Sequence, residues 1–259
     1  VIDNSCSMFD EQARLQQNLG QFVGYADGID SDYQMAVTTT DHESPNAGEF
    51  QRCFPHPSIV SSDYADTATR DAAFRCMFDV GINGPQEEGG FGAAKRALEL
   101  AQDPDAPNNP NVGFLRDDAN LSIIIVSDEN DTTSLSEDVL YNFFISVKDR
   151  RNPERVRVHA IARPTTDLRD CENEFPNTQG RLYSGLVRRM NGLYQSICLD
   201  DWQPVLRDLG LNVFTPLDEW ALSRQADPAT ITVLVDGVPV RNDPAEGWTF
   251  DRIGNSVEF

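Results

Sequence analysis

Three oxygen-bearing side chains stand close together at the start of the sequence, where Asp3, Ser5 and Ser7 follow the apolar pair Val1-Ile2. One carboxylate and two hydroxyls on a short turn offer one hard anion and two neutral oxygens. Divalent cations such as Mg²⁺ prefer oxygen ligands and can keep room for water or for an outside carboxylate. The spacing therefore predicts a metal-binding turn after a buried strand. The alternative is a helix-capping cluster, because Ser and Asp also favour helix starts.

A second acidic turn follows the most apolar run of the chain, residues 121–126, which is typical of a central parallel strand buried on both faces. The run ends at Ser127-Asp128, and Asp131 follows three residues later. Ligands bind sheets of this kind at the carboxyl ends of the strands. We therefore predict that Asp128 completes the site that Asp3 begins, whereas Asp131 is interpreted as part of a solvated acidic turn.

The remaining pattern alternates between helix and strand. Periodicity predicts helices over 8–23, 91–102, 139–147, 182–190 and 202–209, and strands over 33–39, 156–162 and 194–198. Parallel strands need crossover connections, and the crossovers are right-handed. The predicted fold class is therefore α/β, with a doubly wound, mostly parallel sheet flanked by helices in a Rossmann-like arrangement.

Composition shifts divide the chain into two expected domains. Residues 1–225 form the first, with Val1-Ile2 interpreted as the tail of a truncated strand whose beginning, like any signal peptide or anchor, would lie outside this sequence. Within it, residues 41–88 are rich in Pro, Gly, Ser and Asp and are predicted to be an insertion. Residues 226–259 contain short antiparallel strand patterns, which predict a small β unit that is free to continue beyond Phe259.

The bulk composition excludes several classes of protein. A formal net charge of −21 over 259 residues makes nucleic acid and anionic lipid unfavourable partners. No apolar run approaches the roughly 20 residues that a membrane-spanning helix needs, so we expect no membrane insertion. The sequence contains no Gly-x-Ser-x-Gly elbow, phosphate loop or dinucleotide fingerprint. We therefore expect a binding protein and not an enzyme.

The five cysteines are arranged around two loop-rich segments. Cys53 and Cys76 bracket one segment, and Cys171 and Cys198 bracket the other, as two disulfides closing local loops would. The alternative is a set of reduced cysteines in a cytosolic protein. Cys6 is the odd one, a small residue within the acidic turn.

The DxSxS cluster at Asp3, Ser5 and Ser7, together with Asp128 at the end of an apolar strand, resembles the metal-ion-dependent adhesion site (MIDAS) of von Willebrand factor A domains. The resemblance covers about residues 1–220. It implies a doubly wound α/β fold in which this motif, a threonine from a second loop and an aspartate from a third surround Mg²⁺ or Mn²⁺. It also implies that the carboxylate of a partner completes the metal shell.

The second-loop position departs from the family pattern. Counting back from Ala93-Ala94 places Glu88 where the family has its threonine, whereas alignment on Ala97-Leu98 places Gly92 there. Glu88 is preferred, since an oxygen ligand is needed. A third carboxylate would neutralise the ion further, which favours tighter metal holding or Ca²⁺ and weakens the attraction for a partner's acid group.

Two more acids follow the motif. Asp10 and Glu11 resemble the adjacent second metal site of integrin β-type A domains. The alternative is an acidic first helical turn, because carboxylates favour the positive end of the helix dipole.

Further segments resemble bacterial surface A-domain proteins: residues 196–202, the loop between Cys53 and Cys76, residues 235–238 and Gly247-Trp248. This resemblance implies pairing of Cys53 with Cys76 and of Cys171 with Cys198. It implies a secreted or cell-surface protein on the outer side of a bacterium, lipid-anchored through a segment not in this chain.

The expected function is divalent-cation-dependent adhesion, or binding of a protein or other surface ligand through an acidic side chain. The alternative is a building block of an extracellular assembly, in which the metal and the disulfides only brace the fold.

Overall fold

The computed structural model describes residues 1–85, 87–105, 108–164, 181–215, 219–222, 224–235, 237–252 and 255–259. Its helices are α1 (Phe9–Gly28), α2 (Thr67–Phe78), α3 (Gly90–Ala101), α4 (Glu137–Val147), α5 (Arg181–Arg189) and α6 (Gln203–Phe214). Its strands are β1 (Gln34–Met35), β2 (Val60–Ser61), β3 (Leu121–Ser127), β4 (Val156–Ala162), β5 (Tyr194–Ser196), β6 (Glu219–Ala221), β7 (Val233–Val235), β8 (Val238–Val240), β9 (Thr249–Asp251) and β10 (Ser256–Glu258). No helix within these ranges combines the length and the apolar composition that crossing a membrane requires.

A parallel sheet forms the centre of the fold. Strands β3, β4 and β5 lie side by side in that order, and both pairs are parallel. On the other side of β3, Ile2 forms parallel bridges to Val126 and to Thr39. The backbone N–H of Ile2 donates to the carbonyl of Thr38 at 2.9 Å, and that of Asp3 donates to Val126 at 2.9 Å. The acidic turn that follows Ile2 is therefore positioned beside the carboxyl end of β3.

Helices cover both faces of this sheet. On one face, α1, α2 and α6 pack against Ile2, Val126 and Ile161. On the other face, α3, α4 and α5 pack against Ile125 and Val158. Because apolar residues alternate between the two faces along each strand, both helical layers obtain a core.

The prediction of a doubly wound, mostly parallel sheet is confirmed in part. The structure is mixed α/β with a three-stranded parallel sheet between helices. The other described sheets are antiparallel, namely β1 with β2, β7 with β8, and β10 between β6 and β9. The expected boundary at residue 226 leaves β6 in the first domain, but β6 pairs with β10 at the end of the chain.

Two elements differ in extent from their predicted ranges. Helix α1 continues beyond Val23 to Gly28, because burial of Ala26 and packing against α6 outweigh the roughly 1 kcal/mol that Gly24 costs a helix. The predicted strand over 33–39 is regular only in β1, where it pairs with β2 from the insertion. Local propensity carries no information on either tertiary contact.

The insertion contains α2 and the disulfide between Cys53 and Cys76. Cys6 is a free, exposed cysteine. Cys198 is disulfide-bonded, and Cys171, with which it was predicted to pair, lies outside the described residues.

A buried asparagine fastens the insertion to α3. The side-chain amide of Asn111 donates to the carbonyls of Gly48 and Ala97, both at 2.9 Å, and its oxygen accepts from the N–H of Phe50 at 2.9 Å. Asn111 itself has no exposed surface. Its amide thus satisfies three backbone groups that would otherwise be buried without partners.

Replacing Asn111 with Ala should lower the free energy of unfolding by about 2–4 kcal/mol, because three buried backbone groups lose their partner at once. Urea denaturation measures the change. The control is Asn142→Ala, since Asn142 is exposed and its side chain donates to the carbonyl of Asp138 on its own helix; we expect an effect within about 0.5 kcal/mol. Equal effects from the two variants would contradict the role of Asn111.

Candidate metal centre

The carboxylate of Asp3 is fully buried at the carboxyl edge of the sheet. Its Oδ1 accepts a hydrogen bond from the N–H of Ser5 at 2.8 Å, and its Oδ2 accepts from the hydroxyl of Ser127 at 2.6 Å. The backbone carbonyl of Asp3 accepts from the side-chain amide of Gln12 at 2.9 Å. The orientation of Asp3 is therefore fixed by β3 on one side and by α1 on the other.

Hydroxyl groups connect Asp3 to the second acidic turn. The hydroxyls of Ser5 and Ser7 are 3.0 Å apart, and the hydroxyl of Ser7 donates to Oδ1 of Asp128 at 3.2 Å. Ser5 and Asp128 are buried, whereas Ser7 is exposed. The structure thus brings together four of the predicted ligands, and the cluster that they form reaches the protein surface.

Glu88, the fifth predicted ligand, is held by hydrogen bonds from two other chain segments. Its backbone carbonyl accepts from the N–H of Thr132 at 2.7 Å and from the hydroxyl of Thr132 at 2.8 Å. Its Oε2 accepts from the hydroxyl of Thr40. Its Oε1 is buried and has no hydrogen-bond partner among the described residues. That buried oxygen is an available ligand, because an unpaired carboxylate oxygen is unfavourable away from water.

The carboxylates of Asp3, Glu88 and Asp128 are close enough to perturb one another. Burial, followed by repulsion from Asp3, raises the pKa of Glu88 to about 8. The same two causes raise the pKa of Asp128 to about 7, and the positive charge of Arg163 opposes that rise. Burial also raises the pKa of Asp3, against the hydrogen bonds from Ser127 and Ser5. A cation bound among the three acids would offset both the cost of burying their charges and the repulsion between them.

The donor set fits a hard divalent cation. Carboxylates and hydroxyls are the oxygen ligands that Mg²⁺, Ca²⁺ and Mn²⁺ accept. Among the described residues, no group of three or more His, Cys, Asp or Glu side chains is already arranged to hold a metal ion. Serine hydroxyls make up part of this donor set, and Ser7 and Thr40 occupy oxygens of Asp128 and Glu88. The residues that would hold an ion are Asp3, Ser5, Ser7 and Asp128, with Glu88 beside them.

The predicted second site has a different setting. Asp10 and Glu11 lie in the first turn of α1. Asp10 is exposed, and the carboxylate of Glu11 lies 3.6 Å from the guanidinium of Arg14. This is the arrangement of an acidic helix start with an i, i+3 ion pair. A second metal there stays a prediction.

Sequence reasoning missed two hydroxyls and misinterpreted one acid. Ser127 could have been found, because it ends the same apolar strand that leads to Asp128. Thr40 could also have been found, because it follows the strand-like run 33–39, whose carboxyl end lies beside Ile2 in the sheet. Asp131 is a cap and not a solvated acid, since its Oδ2 accepts from the N–H of Phe91 at 2.7 Å in the first turn of α3.

Comparison with known proteins finds similarity at the level of structure alone. No protein-family model matches the chain, and no curated protein matches it. Similar solved structures include two of proximal thread matrix protein 1 (PTMP1) from the mussel byssus, namely crystal form 2 and a form with a zinc-occupied MIDAS motif. They are 13% and 15% identical to this chain, each with a TM-score of 0.45, and each alignment covers 81% of this chain and 43% of that protein. The chain therefore spans less than half the length of these structures.

The metal-free protein should become less stable as the pH rises from 5 to 8.5. The native pKa values of Glu88 (about 8) and Asp128 (about 7) lie above the ordinary values near 4. The folded state therefore binds more protons, and this stabilisation is lost as the pH rises through the native values. We expect the melting temperature in EDTA to fall by about 5 °C or more.

The variant Glu88→Gln should flatten this pH dependence, because the side chain no longer ionises. The control is Glu246→Gln, which changes an exposed side chain and should keep the wild-type slope. Scanning calorimetry at five pH values provides the comparison. Identical slopes for wild type and Glu88→Gln would show that Glu88 is not part of the coupled acid cluster.

Proposed function

We propose that this chain is a divalent-cation-dependent protein-binding module, with the cation held by Asp3, Ser5, Ser7 and Asp128. The observation that supports this most is the series of hydrogen bonds that joins Asp3 to the N–H of Ser5, the hydroxyl of Ser5 to that of Ser7, and the hydroxyl of Ser7 to Asp128. It joins two turns 121 residues apart in sequence at the edge of the sheet where α/β folds bind ligands.

The electrostatics favour cation binding over an empty cluster. The three acids have raised pKa values, chiefly through burial and, for Glu88 and Asp128, also through repulsion from Asp3; they would ionise together if a dication were present, and binding would then release protons. Mg²⁺ is the first candidate and Ca²⁺ or Mn²⁺ the alternatives. Glu88 favours Ca²⁺, because a larger ion accepts more oxygen ligands. A bound ion would supply positive charge for a partner's carboxylate, and exposed Ser7 leaves an approach to it.

The surface around the cluster suits a protein partner. Phe9 lies two residues after Ser7 and is 66% exposed. Aromatic side chains are enriched at protein interfaces, where they provide buried contact area. We therefore propose a partner that places an acidic side chain at the ion and an apolar side chain on Phe9. Its class is protein or another surface ligand, and nucleic acid does not fit a chain of net charge −21.

The compartment that we propose is extracellular or cell-surface. The disulfide between Cys53 and Cys76 is typical of an oxidising environment. The bacterial surface and a lipid anchor rest on the resemblance of the sequence alone. We propose no catalytic activity, because among the described residues the hydroxyl of Ser7 is bonded to the hydroxyl of Ser5 and to the carboxylate of Asp128, and neither serine is paired there with a histidine or lysine base.

Burial of the acids supports one alternative function. Asp3 and Glu88 have no exposed surface, and the side chains of Ser127 and Thr40 already satisfy one oxygen of each. An ion enclosed there could brace the fold of a structural building block without meeting a ligand. The two functions differ in whether the bound ion keeps one coordination position that water or a ligand can occupy.

Isothermal titration of EDTA-treated protein with Mg²⁺, Ca²⁺ and Mn²⁺ should show one bound ion per chain. Asp3→Ala and Asp128→Ala should each weaken metal binding by about 100-fold or more, since each removes a charged ligand. Glu246→Ala, which changes an exposed acid outside both candidate sites, is the control and should bind like wild type. Absence of uptake of all three ions would contradict the proposal.

Binding of a glutamate-rich peptide then distinguishes the adhesion function from the bracing function. With metal present the peptide should bind wild type and Glu246→Ala, but not Asp128→Ala, and EDTA should abolish binding. Metal uptake without any binding of the peptide would contradict ligand capture and favour the bracing function.

A further inference from the structure

Tyr183 is a fully buried residue of α5 whose hydroxyl has no hydrogen-bond partner among the described residues. Its ring packs edge-on against Phe91 of α3, with the two ring centroids 5.1 Å apart. A buried hydroxyl without a partner costs free energy, and folded proteins rarely keep one. A phenylalanine would make the same ring contact without that cost. Packing alone therefore gives no reason for the hydroxyl of Tyr183.

The hydroxyl of Tyr183 lies against the first turn of α3, directly after the turn that carries Glu88. A methyl group on Gly90 would be 2.7 Å from the hydroxyl oxygen and 3.0 Å from the side chain of Ile125, so glycine leaves the space that the hydroxyl occupies. Ile125 and Ser127 are two residues apart on β3 and therefore face the same side of the sheet. The hydroxyl thus lies between the start of α3 and the carboxyl end of β3.

The charges of the acid cluster reach Tyr183. Burial, followed by the negative charges of Asp131 and Asp3, raises the pKa of Tyr183 well above its ordinary value. Ser127 and the backbone of Gly90 oppose that rise, which agrees with a hydroxyl placed between β3 and α3. Tyr183 therefore keeps its proton and can act as a hydrogen-bond donor.

Ser127 is the acceptor that fits this donor. Its hydroxyl donates to Oδ2 of Asp3 at 2.6 Å and accepts from the N–H of Glu129 at 3.1 Å. A hydroxyl has one proton and two lone pairs, so one lone pair of Ser127 is still available. Both carboxylate oxygens of Asp131, by contrast, already accept from backbone N–H groups. A hydrogen bond from Tyr183 to Ser127 would connect α5 to a predicted metal ligand.

We propose that Tyr183 is a positioning residue for the metal centre: its hydroxyl donates to Ser127, which in turn holds Asp3 in the orientation that binds the cation. This inference rests on the function proposed above, since it requires a cation at Asp3. Asp3 stays ionised while it holds a cation, which polarises the hydroxyl of Ser127 and makes its oxygen a stronger acceptor. The hydrogen bond from Tyr183 therefore forms as the cation binds. Groups that orient a metal ligand in this way typically change metal affinity by about 10- to 100-fold.

Removal of this hydroxyl should have opposite effects on stability and on metal affinity. A hydroxyl kept for stability alone should make the protein less stable when it is removed. Tyr183→Phe instead removes a buried group that has no partner without the cation, so the melting temperature in EDTA should be at least that of wild type. Metal binding should nevertheless weaken about tenfold or more, because Asp3 loses the support that reaches it through Ser127.

Tyr33 offers a matched control in the opposite helical layer. It is also buried, and its hydroxyl has no hydrogen-bond partner within the described ranges. Burial raises its pKa to about 12, and the charges that act on it lie outside the metal centre, on Arg70, Asp27 and Asp71. Tyr33→Phe should therefore resemble Tyr183→Phe in EDTA but bind metal like wild type.

The experiment compares wild type, Tyr183→Phe and Tyr33→Phe. Isothermal titration of EDTA-treated protein with Mg²⁺, Ca²⁺ and Mn²⁺ measures affinity, and scanning calorimetry in EDTA measures stability. Near-ultraviolet absorption gives a third readout, since the absorption band of a tyrosine shifts when its hydroxyl gains a hydrogen bond. Saturating metal should produce this shift in wild type and in Tyr33→Phe, but not in Tyr183→Phe.

Three results would overturn this inference and leave the proposed function intact. Tyr183→Phe could bind metal as tightly as wild type, or Tyr33→Phe could weaken binding as much as Tyr183→Phe does. Tyr183→Phe could also melt below wild type in EDTA, which would indicate a structural role for the hydroxyl. If wild type itself takes up none of the three ions, the proposed function fails, and the role of Tyr183 fails with it.

Discussion

Burial of the Asp3 carboxylate at the carboxyl edge of the sheet is the constraint on which the rest of the site depends. A charged group without exposed surface is costly unless hydrogen bonds or opposite charge compensate it. The hydroxyl of Ser127 and the N–H of Ser5 compensate it in part. Ser5 follows Ile2 in the acidic turn, and Ser127 ends β3, with which Ile2 is paired at Val126. The site therefore depends on the pairing of Ile2 within the sheet.

Two further acids lie beside Asp3, although like charges repel one another. Asp128 and Glu88 are placed beside Asp3 by the end of β3 and by the turn before α3, and burial, followed by repulsion from Asp3, raises the pKa values of both. A cluster of this kind lowers the stability of the protein at neutral pH unless a cation binds. Many binding sites keep such local conflicts between stability and function. In this chain the conflict is confined to one edge of the sheet, while both helical layers pack in the ordinary way.

Much of the fold and part of the site could be predicted from sequence, and the limits have physical causes. The apolar run of β3 and the DxSxS spacing are local signals, so the parallel centre and the proximity of Asp3 to Asp128 could be foreseen. The contact of Thr40 with Glu88 joins residues 48 positions apart, and no local pattern encodes it. Asp131 was misinterpreted for the same reason, because Phe91, whose N–H it accepts from, lies 40 residues earlier in the chain. The continuation of α1 through Gly24 and the pairing of β6 with β10 also depend on tertiary packing, which outweighs local propensity.

The most direct test of the metal centre is a crystal structure of the protein grown with Mn²⁺, with the ion located by its anomalous scattering. We expect one ion in contact with oxygens of Asp3, Ser5 and Ser7 and with Asp128 directly or through water. A water on its exposed side would support ligand capture in preference to bracing. A crystal in which Mn²⁺ occupies other positions, such as Asp10 and Glu11, while the cluster around Asp3 keeps its present hydrogen bonds would contradict the central claim.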